Sequence, residues 1–428
     1  MTLSERPIRK PWRRCGRGWV SMTGVAVLGG AALVAVPAAA PAYAASVPCN
    51  DAALVSAVAG VATTGGSLSL SPGCVYTLTA ADNPGNGLAV ITGSVTITGN
   101  NARIVRSSAA PAFRIFEVGS GGSLSLTGLT LQGGSATGDG GGVLVDNGGT
   151  LNTTRTTFTG NNATGNGGGA SVSAGGTATS SSDSYTNNEA DTAGGAFNSD
   201  GTTTMSNATL TGNQALYGGG FESGWSSNAA DVTISGSSFL RNTSTGGEGG
   251  GGDFEAGTTR ITSTSFTLNE ARNTSGAGIA GAFYNNGSMT VSGSTVNRNN
   301  LTATGIAQGG GIYNDQTLTL TNTTVNANAA SGNALSDSGG IYNDGTLILQ
   351  RATVNGNTMT NGSAGGIYNH GSGTLTATGS TISGNTSTLA PGGIASTNTN
   401  VTLSGSVVAG NKPTNCNGSP APITGCTG

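Results

Sequence analysis

The sequence has little charge and almost no histidine. Only 8% of its 428 residues are charged, and His370 is the single histidine. A histidine-based zinc site or a nucleophile–histidine relay needs imidazole side chains in defined places, so one histidine argues against both. The chain has 76 glycines but no Gly-X-Y period, which excludes collagen. Charge this low also argues against an extended, self-repelling disordered chain.

Residues 1–44 are predicted to be a signal peptide. Six basic residues precede an Ala/Val/Gly-rich stretch over residues 20–36, and Ala42 and Ala44 are small residues suited to a signal peptidase. The apolar stretch is short and ends at Pro37, so a membrane span is not favoured. Arg13-Arg14 leaves export by the general or the twin-arginine route open.

The remaining chain is acidic, which bears on its partners. The whole chain has 16 basic and 19 acidic residues, and residues 1–44 contain six of the basic residues and one of the acidic ones. The remaining chain therefore has 10 basic and 18 acidic residues and a formal charge of −8. An acidic surface repels phosphate backbones, so nucleic acid is not expected as a partner. We expect a monomer without a membrane span, secreted or held at the surface of a bacterium. How it would be retained there stays open.

Cysteine is absent from a long central region. Four cysteines follow residue 44, two near each end, and none lies between Cys74 and Cys416. In an exported chain this arrangement predicts two local disulfides, Cys49–Cys74 and Cys416–Cys426. The rival pairings require the two ends of the molecule to meet.

The central region is a repeat marked by asparagine, with spacings of 25 to 30 residues. The recurring asparagines are Asn161, Asn188, Asn213, Asn242, Asn269, Asn299, Asn328, Asn357, Asn385 and Asn411. An apolar or aromatic residue stands three positions before each of them, and period-2 alternation precedes that residue. This pattern predicts strands with one buried face. A further strand follows a glycine pair, as in Gly310-Gly311-Ile312-Tyr313.

These repeats predict an all-β single-stranded solenoid of about 11 coils, each with three short strands. One coil cannot bury its own apolar face, but stacked parallel coils can. Equivalent asparagines would then lie one above another and form a hydrogen-bonded ladder. We expect each of these asparagines to adopt a left-handed turn conformation as well.

The Gly-Gly-[Gly/Ala]-Ile-Tyr-Asn blocks followed by [Phe/Val/Ile]-x-x-Asn carry a family resemblance. They resemble right-handed parallel β-helix repeats of the pectin-lyase-like superfamily, and are similar to polymorphic outer membrane protein repeats (GG-[AG]-I and F-x-x-N). The resemblance covers residues 93–411 and implies a right-handed β-helix. It does not imply one function, because the superfamily includes lyases, hydrolases, adhesins and passive scaffolds.

The expected organisation has four parts. A signal peptide (1–44) precedes an N-terminal cap (45–91), followed by the repeats (92–411) and a C-terminal cap (412–428). A short helix over Asp51–Val61, with Asn50 or Asp51 as its N-cap, is expected to cover the first coil.

Candidate functional residues lie on the glycine-pair strands, one position after the inward residue. The outward column is predicted to comprise Asn198, Glu222, Glu255, Tyr284, Tyr313, Tyr342 and Tyr368, with Asp253 on the same side. Trp225 lies three residues after Glu222. Acids beside exposed aromatic rings suit a polysaccharide, so Trp225 and the four tyrosines are candidate ligand-binding residues.

Three alternatives apply to the acids Glu222, Asp253 and Glu255. Paired carboxylates serve acid–base cleavage of sugar chains, which would make the protein a polysaccharide lyase or glycoside hydrolase. Asp253 and Glu255 are also candidate calcium ligands, although no cofactor is required by the sequence. The third alternative is a plain soluble surface, since tyrosine ladders and scattered acids also stabilise and solubilise solenoids.

Threonines form a second regular array. One column comprises Thr150, Thr177, Thr202, Thr258, Thr317, Thr346 and Thr374. A second comprises Thr179, Thr204, Thr233, Thr290, Thr319, Thr376 and Thr402. A flat Thr-x-Thr face resembles those of β-helical ice-binding proteins, although Arg260 and Ile348 interrupt it.

The expected function is therefore that of an exported, non-enzymatic scaffold or adhesin-like protein, with polysaccharide binding along the tyrosine face. A polysaccharide-cleaving enzyme and an ice- or crystal-binding protein are the alternatives. Thr153, Ala178 and Ser180 fall at inward positions, so the coils over residues 151–180 are expected to be the least well packed.

Overall fold

The computed structural model describes residues 46–224 and 230–428. Over these ranges the chain forms an all-β parallel solenoid of about 12 turns, close to the predicted number. The one helix of these ranges, α1 over Asp51–Val61, is not long and apolar enough to cross a membrane. Asn50 is its N-cap and accepts a hydrogen bond from the backbone N–H of Ala53 at 2.8 Å. The predicted signal peptide and Trp225 lie outside the described residues.

The strands stack into four sheets, numbered here in the order in which the chain passes through them within a coil; neighbouring strands run parallel. Sheet 1 has 14 strands: Ser46–Val47, Gly66–Leu70, Ser94–Thr98, Ser123–Thr127, Thr150–Thr154, Thr177–Ser181, Thr202–Ser206, Ala230–Ser235, Gly257–Thr262, Ser288–Ser292, Thr317–Thr321, Thr346–Gln350, Thr374–Thr378 and Val401–Ser404. Sheet 2 has 13 strands: Val75–Leu78, Arg103–Arg106, Thr130–Gln132, Thr157–Thr159, Ser184–Thr186, Thr209–Thr211, Ser238–Leu240, Ser265–Thr267, Thr295–Asn297, Thr324–Asn326, Thr353–Asn355, Thr381–Ser383 and Val407–Ala409.

The other two sheets complete each coil. Sheet 3 has 12 strands: Ser135–Ala136, Asn162–Ala163, Glu189–Ala193, Gln214–Tyr217, Thr243–Glu248, Glu270–Asn273, Gly278–Ile279, Asn300–Ala303, Ala307–Gln308, Ala329–Asp337, Thr358–Ser363 and Thr386–Ser387. Sheet 4 has 11 strands: Phe116–Val118, Val143–Val145, Ala170–Val172, Phe197–Ser199, Phe221–Ser223, Gly252–Phe254, Phe283–Asn285, Ile312–Asn314, Ile341–Asn343, Ile367–Asn369 and Ile394–Ser396.

Sheets 1, 2 and 4 are the three predicted from the repeat, and sheet 3 is an addition. Its strands follow the recurring asparagine and vary from two residues, as at Asn162–Ala163, to nine at Ala329–Asp337. The pairing of Gln214–Tyr217 with Thr243–Glu248 also contains a register shift. Variable length and bulges remove the period-2 alternation that would have marked these strands in the sequence.

The asparagine ladder forms as predicted. The side-chain Nδ2 of Asn161 donates to Oδ1 of Asn188 at 2.9 Å, and each following asparagine repeats this bond up to Asn411 at 2.8–3.0 Å. The same Nδ2 also donates to a backbone carbonyl, as Asn188 does to Phe158 at 3.0 Å. These side chains are buried. The ladder therefore satisfies buried turn groups in every coil that it crosses.

The expectation of a left-handed backbone at these asparagines is wrong by one residue. The residue before the ladder asparagine has the positive φ, as at Asn187 (52°), Arg241 (53°) and Leu268 (57°). The strand of sheet 2 ends there, and the left-handed residue turns the chain so that the following asparagine points inward.

A second asparagine ladder inside sheet 4 was not predicted. Nδ2 of Asn285 donates to Asn314 at 2.7 Å, Asn314 to Asn343 at 2.7 Å, and Asn343 to Asn369 at 2.8 Å. These residues end the Ile-Tyr-Asn blocks, so the motif itself carried the signal.

The core is a continuous apolar column with stacked aromatic rings. Phe158 stacks on Tyr185 with ring centroids 4.6 Å apart, and Phe239 stacks on Phe266 at 4.4 Å. Face-to-face stacking of this kind follows from parallel coils in register. In sheet 4 the inward residues, among them Phe197, are buried as predicted.

The inward polar residues over 151–180 belong to a hydrogen-bond network. Thr153 and Ser180 are buried, and both hydroxyls donate to the carboxylate of Asp183. The backbone N–H groups of Thr156 and Ser181 donate to the same carboxylate at 2.7 and 3.1 Å. The inward hydroxyls of this stretch are therefore hydrogen-bonded to Asp183, a residue that the sequence analysis did not single out.

The two disulfides pair as predicted, Cys49 with Cys74 and Cys416 with Cys426. Leu54 and Val58 of α1 are buried against the first coil. Asn415 in the last loop accepts from Nδ2 of Asn411 at 3.0 Å and ends the long ladder. Both ends of the solenoid are thus closed by a disulfide-bonded segment, which protects its terminal strands.

Candidate functional site

The outward column of sheet 4 differs from the prediction at one coil. Asp253 pairs in register with Glu222 on one side and Tyr284 on the other. Glu255, which was expected in the column, lies just after the end of its strand. The remaining order is as predicted, with Asn198 beside Glu222 and Tyr284 leading to Tyr313, Tyr342 and Tyr368.

Gly252 explains this shift. It occupies the inward position that Phe221 and Phe283 hold in the adjacent coils. The ring of Phe254 fills the space instead, because a Cβ built on Gly252 would lie 2.8 Å from that ring. Phe254 continues the aromatic stack, 5.7 Å from Phe221 and 6.2 Å from Phe283. In this coil the aromatic core residue is therefore Phe254, two positions after the site that Phe221 and Phe283 occupy. The outward position in the column is held by Asp253 and not by Glu255.

The column is buried although it points away from the core. Glu222 and Asp253 are both 0% exposed. The backbone after Gln214–Tyr217 of sheet 3 lies against them, since a Cβ on Gly218 would be 3.0 Å from that of Glu222 and 3.2 Å from that of Asp253. The additional sheet thus covers a position that alternation alone assigns to solvent.

Three carboxylates converge at this level. Oxygens of Glu248, Asp253 and Glu255 lie within 4.8 Å of one another. Glu248 ends a strand of sheet 3, Asp253 is central in a strand of sheet 4, and Glu255 follows that strand. Glu248 and Glu255 are half-buried, and Nδ2 of Asn286 donates to Oε2 of Glu255 at 3.1 Å. We call these three residues the acid cluster.

Asp253 lacks the donors that a buried carboxylate normally has. Neither of its oxygens has a hydrogen-bond partner among residues 46–224 and 230–428. None of the three carboxylates pairs with a basic side chain in these ranges. The segment 225–229, Trp-Ser-Ser-Asn-Ala, contains no basic residue either. The cluster is therefore a concentration of negative charge without a protein cation from these parts of the chain.

Burial and repulsion by neighbouring carboxylates favour the protonated forms of Glu248 and Asp253. Burial, with the negative charge of Glu255 as a second cause, raises the pKa of Glu248 to about 7. Burial and then the charges of Glu248 and Glu255 raise the pKa of Asp253 well above its usual range. Without a counter-charge, Glu248 and Asp253 hold their protons more tightly than ordinary carboxylates do.

The four column tyrosines pack mainly on each other. Tyr284, Tyr342 and Tyr368 are at most 9% exposed, while Tyr313 is half-buried. Tyr313 and Tyr342 stack with centroids 4.7 Å apart, and Tyr342 and Tyr368 at 5.6 Å. The Tyr313 hydroxyl donates to Oδ2 of Asp344 at 3.0 Å. Ring faces used in this stacking are not open to a sugar ring, which leaves Tyr313 as the most accessible of the four.

The threonine columns are in the predicted register. Thr177 pairs with Thr202, and Thr179 with Thr204, along one exposed face of sheet 1. Asp231 and Ser288 also occupy the first column, and Arg260 and Ile348 interrupt the second. The face is regular but carries four non-threonine positions within these columns.

The sequence reading missed two residues of interest, Glu248 and Asp183. Glu248 lies in the glycine-rich stretch 246–253, where no periodic signal connects it to Asp253. Asp183 follows a turn residue and carries no motif. Neither the family resemblance nor the periodicity of the sequence indicates which chemistry the site performs.

Comparison with known proteins gives no further indication. No family model, curated protein or solved structure matches the chain.

Proposed function

We propose that the protein is exported and acts outside the cell as a rigid, non-enzymatic scaffold. The observation that carries this proposal is the stack of coils over residues 46–224 and 230–428, closed at both ends by disulfide-bonded segments. Disulfides form and persist in oxidising compartments, which agrees with a leader over residues 1–44. The repeat motifs support placement among right-handed pectin-lyase-like β-helices with polymorphic outer membrane protein-type repeats, a superfamily that includes such scaffolds.

The acid cluster offers little support for catalysis. Acid–base cleavage of a sugar chain needs carboxylates that reach a bound substrate. Asp253 is fully buried, so its carboxylate is not accessible to a polymer. A scaffold therefore accounts for the described residues better than a lyase or hydrolase does.

Export and catalysis are tested with the full chain in a bacterial host. We expect the protein outside the cytoplasm with its N-terminus at Ala45, read by mass spectrometry of the intact protein. Retention of residues 1–44 in a cytoplasmic protein would contradict export. Incubation with soluble polysaccharides should release no new chain ends, whereas release that E255Q abolishes and E189Q preserves would establish an enzyme.

Polysaccharide binding without cleavage remains part of the proposal for the tyrosine face, favoured by the half-buried ring of Tyr313. Trp225 is the one tryptophan after residue 44, so a change in tryptophan fluorescence on adding a polymer comes from a single residue. A saturable change with one polymer, reduced in Y313A, supports binding. An unchanged signal across plant, fungal and bacterial polymers counts against it.

The threonine face favours a second candidate, binding to ice or another crystalline surface. Its support is the exposed register of Thr177 with Thr202 and of Thr179 with Thr204. Thermal hysteresis that T204Y removes and T209Y, on sheet 2, retains would support this function. Absence of hysteresis in the unmodified protein would exclude ice.

A further inference from the structure

We propose that Glu248, Asp253 and Glu255 form a binding site for Ca²⁺ that joins sheet 3 to sheet 4. This inference goes beyond the scaffold proposal and does not depend on it, because it concerns the chemistry of one cluster. Two independent observations carry it: the convergence of three carboxylates and the absence of hydrogen-bond donors to the buried one among the described residues.

The spacing of the carboxylates fits this ion. Calcium–oxygen distances are about 2.3–2.6 Å, so two oxygens on opposite sides of one ion lie about 5 Å apart. The oxygens of the acid cluster lie within 4.8 Å of one another. All three carboxylates can therefore reach a shared ion after small side-chain rotations.

The burial of Asp253 distinguishes the cluster from a surface patch of acids. An ionised carboxylate removed from water is costly unless donors or a cation compensate it. Asp253 is 0% exposed, and neither oxygen accepts a hydrogen bond from residues 46–224 or 230–428. A bound cation supplies the missing interaction for both oxygens at once.

The chemistry of the ligands favours calcium. The cluster offers only carboxylate oxygens, without the nitrogen or sulfur ligands that transition metals prefer. Glu248 and Glu255 are half-buried, which gives an ion a path from solvent and leaves room for water ligands. Magnesium demands shorter distances and a near-ideal octahedron, and it gives up its own water reluctantly.

Calcium binding would fix sheet 3 at a place where its pairing is irregular. The strand ending at Glu248 contains the register shift relative to Gln214–Tyr217. Asp253 belongs to the neighbouring sheet of the same coil. An ion shared between them ties the bulged strand to the regular one, in place of the hydrogen bonds that the bulge removes.

Binding is measured by isothermal titration calorimetry and thermal unfolding on the full chain, after treatment with a chelator. We expect one Ca²⁺ site with a Kd of about 0.1–1 mM, in the range of extracellular calcium modules. Unfolding should move up by about 3 °C in about 10 mM CaCl₂. Affinity for Mg²⁺ should be at least about tenfold weaker.

The variants D253N and E255Q locate the site, and E189Q is the matched control. Glu189 is an exposed acid at the start of a sheet 3 strand two coils earlier, so E189Q makes the same charge change outside the cluster. D253N and E255Q should each weaken Ca²⁺ binding by about tenfold or more, and E189Q should leave it unchanged. E255Q replaces a half-buried residue and keeps the test valid if D253N folds poorly.

Tb³⁺ luminescence gives an independent location. Tyr284 pairs in register with Asp253, so ultraviolet excitation of this ring should sensitise Tb³⁺ in the cluster. Emission that Ca²⁺ displaces and that Y284F lowers supports the assignment. No calcium binding at about 10 mM, equal affinity for Mg²⁺, or binding unaffected in both cluster variants would overturn it.

Discussion

Asp183 and Asp253 are two buried carboxylates of one solenoid with opposite surroundings. Asp183 is 1% exposed and accepts hydrogen bonds from two hydroxyls and two backbone N–H groups. Asp253 is 0% exposed, accepts none from the described residues, and faces two other acids. The fold therefore compensates the buried carboxylate of Asp183 with hydrogen-bond donors. The carboxylate of Asp253 needs a proton or a cation instead.

The position of each residue explains the difference. Asp183 lies in the turn between sheets 1 and 2, where backbone N–H groups leave their ladders and become available as donors. Asp253 lies within a strand, where the backbone groups are used by the neighbouring coils. A strand position can thus bury a carboxylate without satisfying it, and a bound ion is one way to compensate such a group.

The largest expected effect is the loss of the satisfied carboxylate. D183A removes the acceptor for Thr153 and Ser180 and leaves the buried N–H of Thr156 without its partner. We expect a loss of about 3 kcal/mol in the free energy of unfolding, measured by urea denaturation. D191A, which removes an exposed acid on sheet 3, should change it by less than about 0.5 kcal/mol. Equal effects would mean that the network around Asp183 contributes nothing.

The next effect is the pH dependence of the acid cluster in calcium-free buffer. Burial raises the folded pKa of Glu248 to about 7, above its unfolded value of about 4.3. Between these values the folded state binds more protons, so the free energy of unfolding falls as pH rises, by about 2 kcal/mol. Asp253 lies beside this group and its pKa is also raised by burial and by the charges of Glu248 and Glu255, which strengthens the trend.

The pH effect is measured by urea denaturation at about pH 5 and about pH 8. E248Q should flatten the difference between the two conditions, while E189Q should keep it. Added calcium should oppose the loss at the higher pH, because the ion favours deprotonated ligands. A stability that rises with pH in this window would contradict the raised pKa of Glu248.

A smaller effect of opposite sign is expected at Asp253. In calcium-free buffer at about pH 8, D253N removes an acid whose charged form is destabilised by burial and by Glu248 and Glu255, so we expect a gain of about 1 kcal/mol. In saturating calcium the same variant should be less stable than the unmodified protein, because it loses the ion. A loss in both buffers would show that Asp253 is satisfied by the protein itself.

The smallest effect tests how many donors a buried carboxylate needs. S180A removes one hydroxyl from Asp183 and the partner of the Tyr185 hydroxyl, which donates to Ser180 at 3.2 Å. We expect a loss of about 1 kcal/mol by urea denaturation, with S184A as the control on the neighbouring strand. No change would mean that the remaining three donors suffice.

The repeat predicted the solenoid well because its signals are local and periodic. The spacing of the ladder asparagines predicted the positions of the strands of sheets 1 and 2 in successive coils. The glycine pairs predicted the strands of sheet 4. The acid cluster was less predictable. Gly252 and Phe254 exchange the usual core position within one coil, and Glu248 lies on a bulged strand of variable length. Both depend on packing between coils, which the alternation of a single coil does not encode.

The asparagine ladder also gives the solenoid a dipole along its axis. Every rung from Asn161 to Asn385 donates its side-chain N–H toward the following coil and presents its oxygen to the preceding one. Aligned amide dipoles add along the axis, and each hydrogen bond polarises the next. The N-terminal end of the ladder is therefore its negative pole and the C-terminal end its positive pole. Two such rods would attract head to tail and repel head to head, so the capping segments at both ends also decide whether single molecules stay apart.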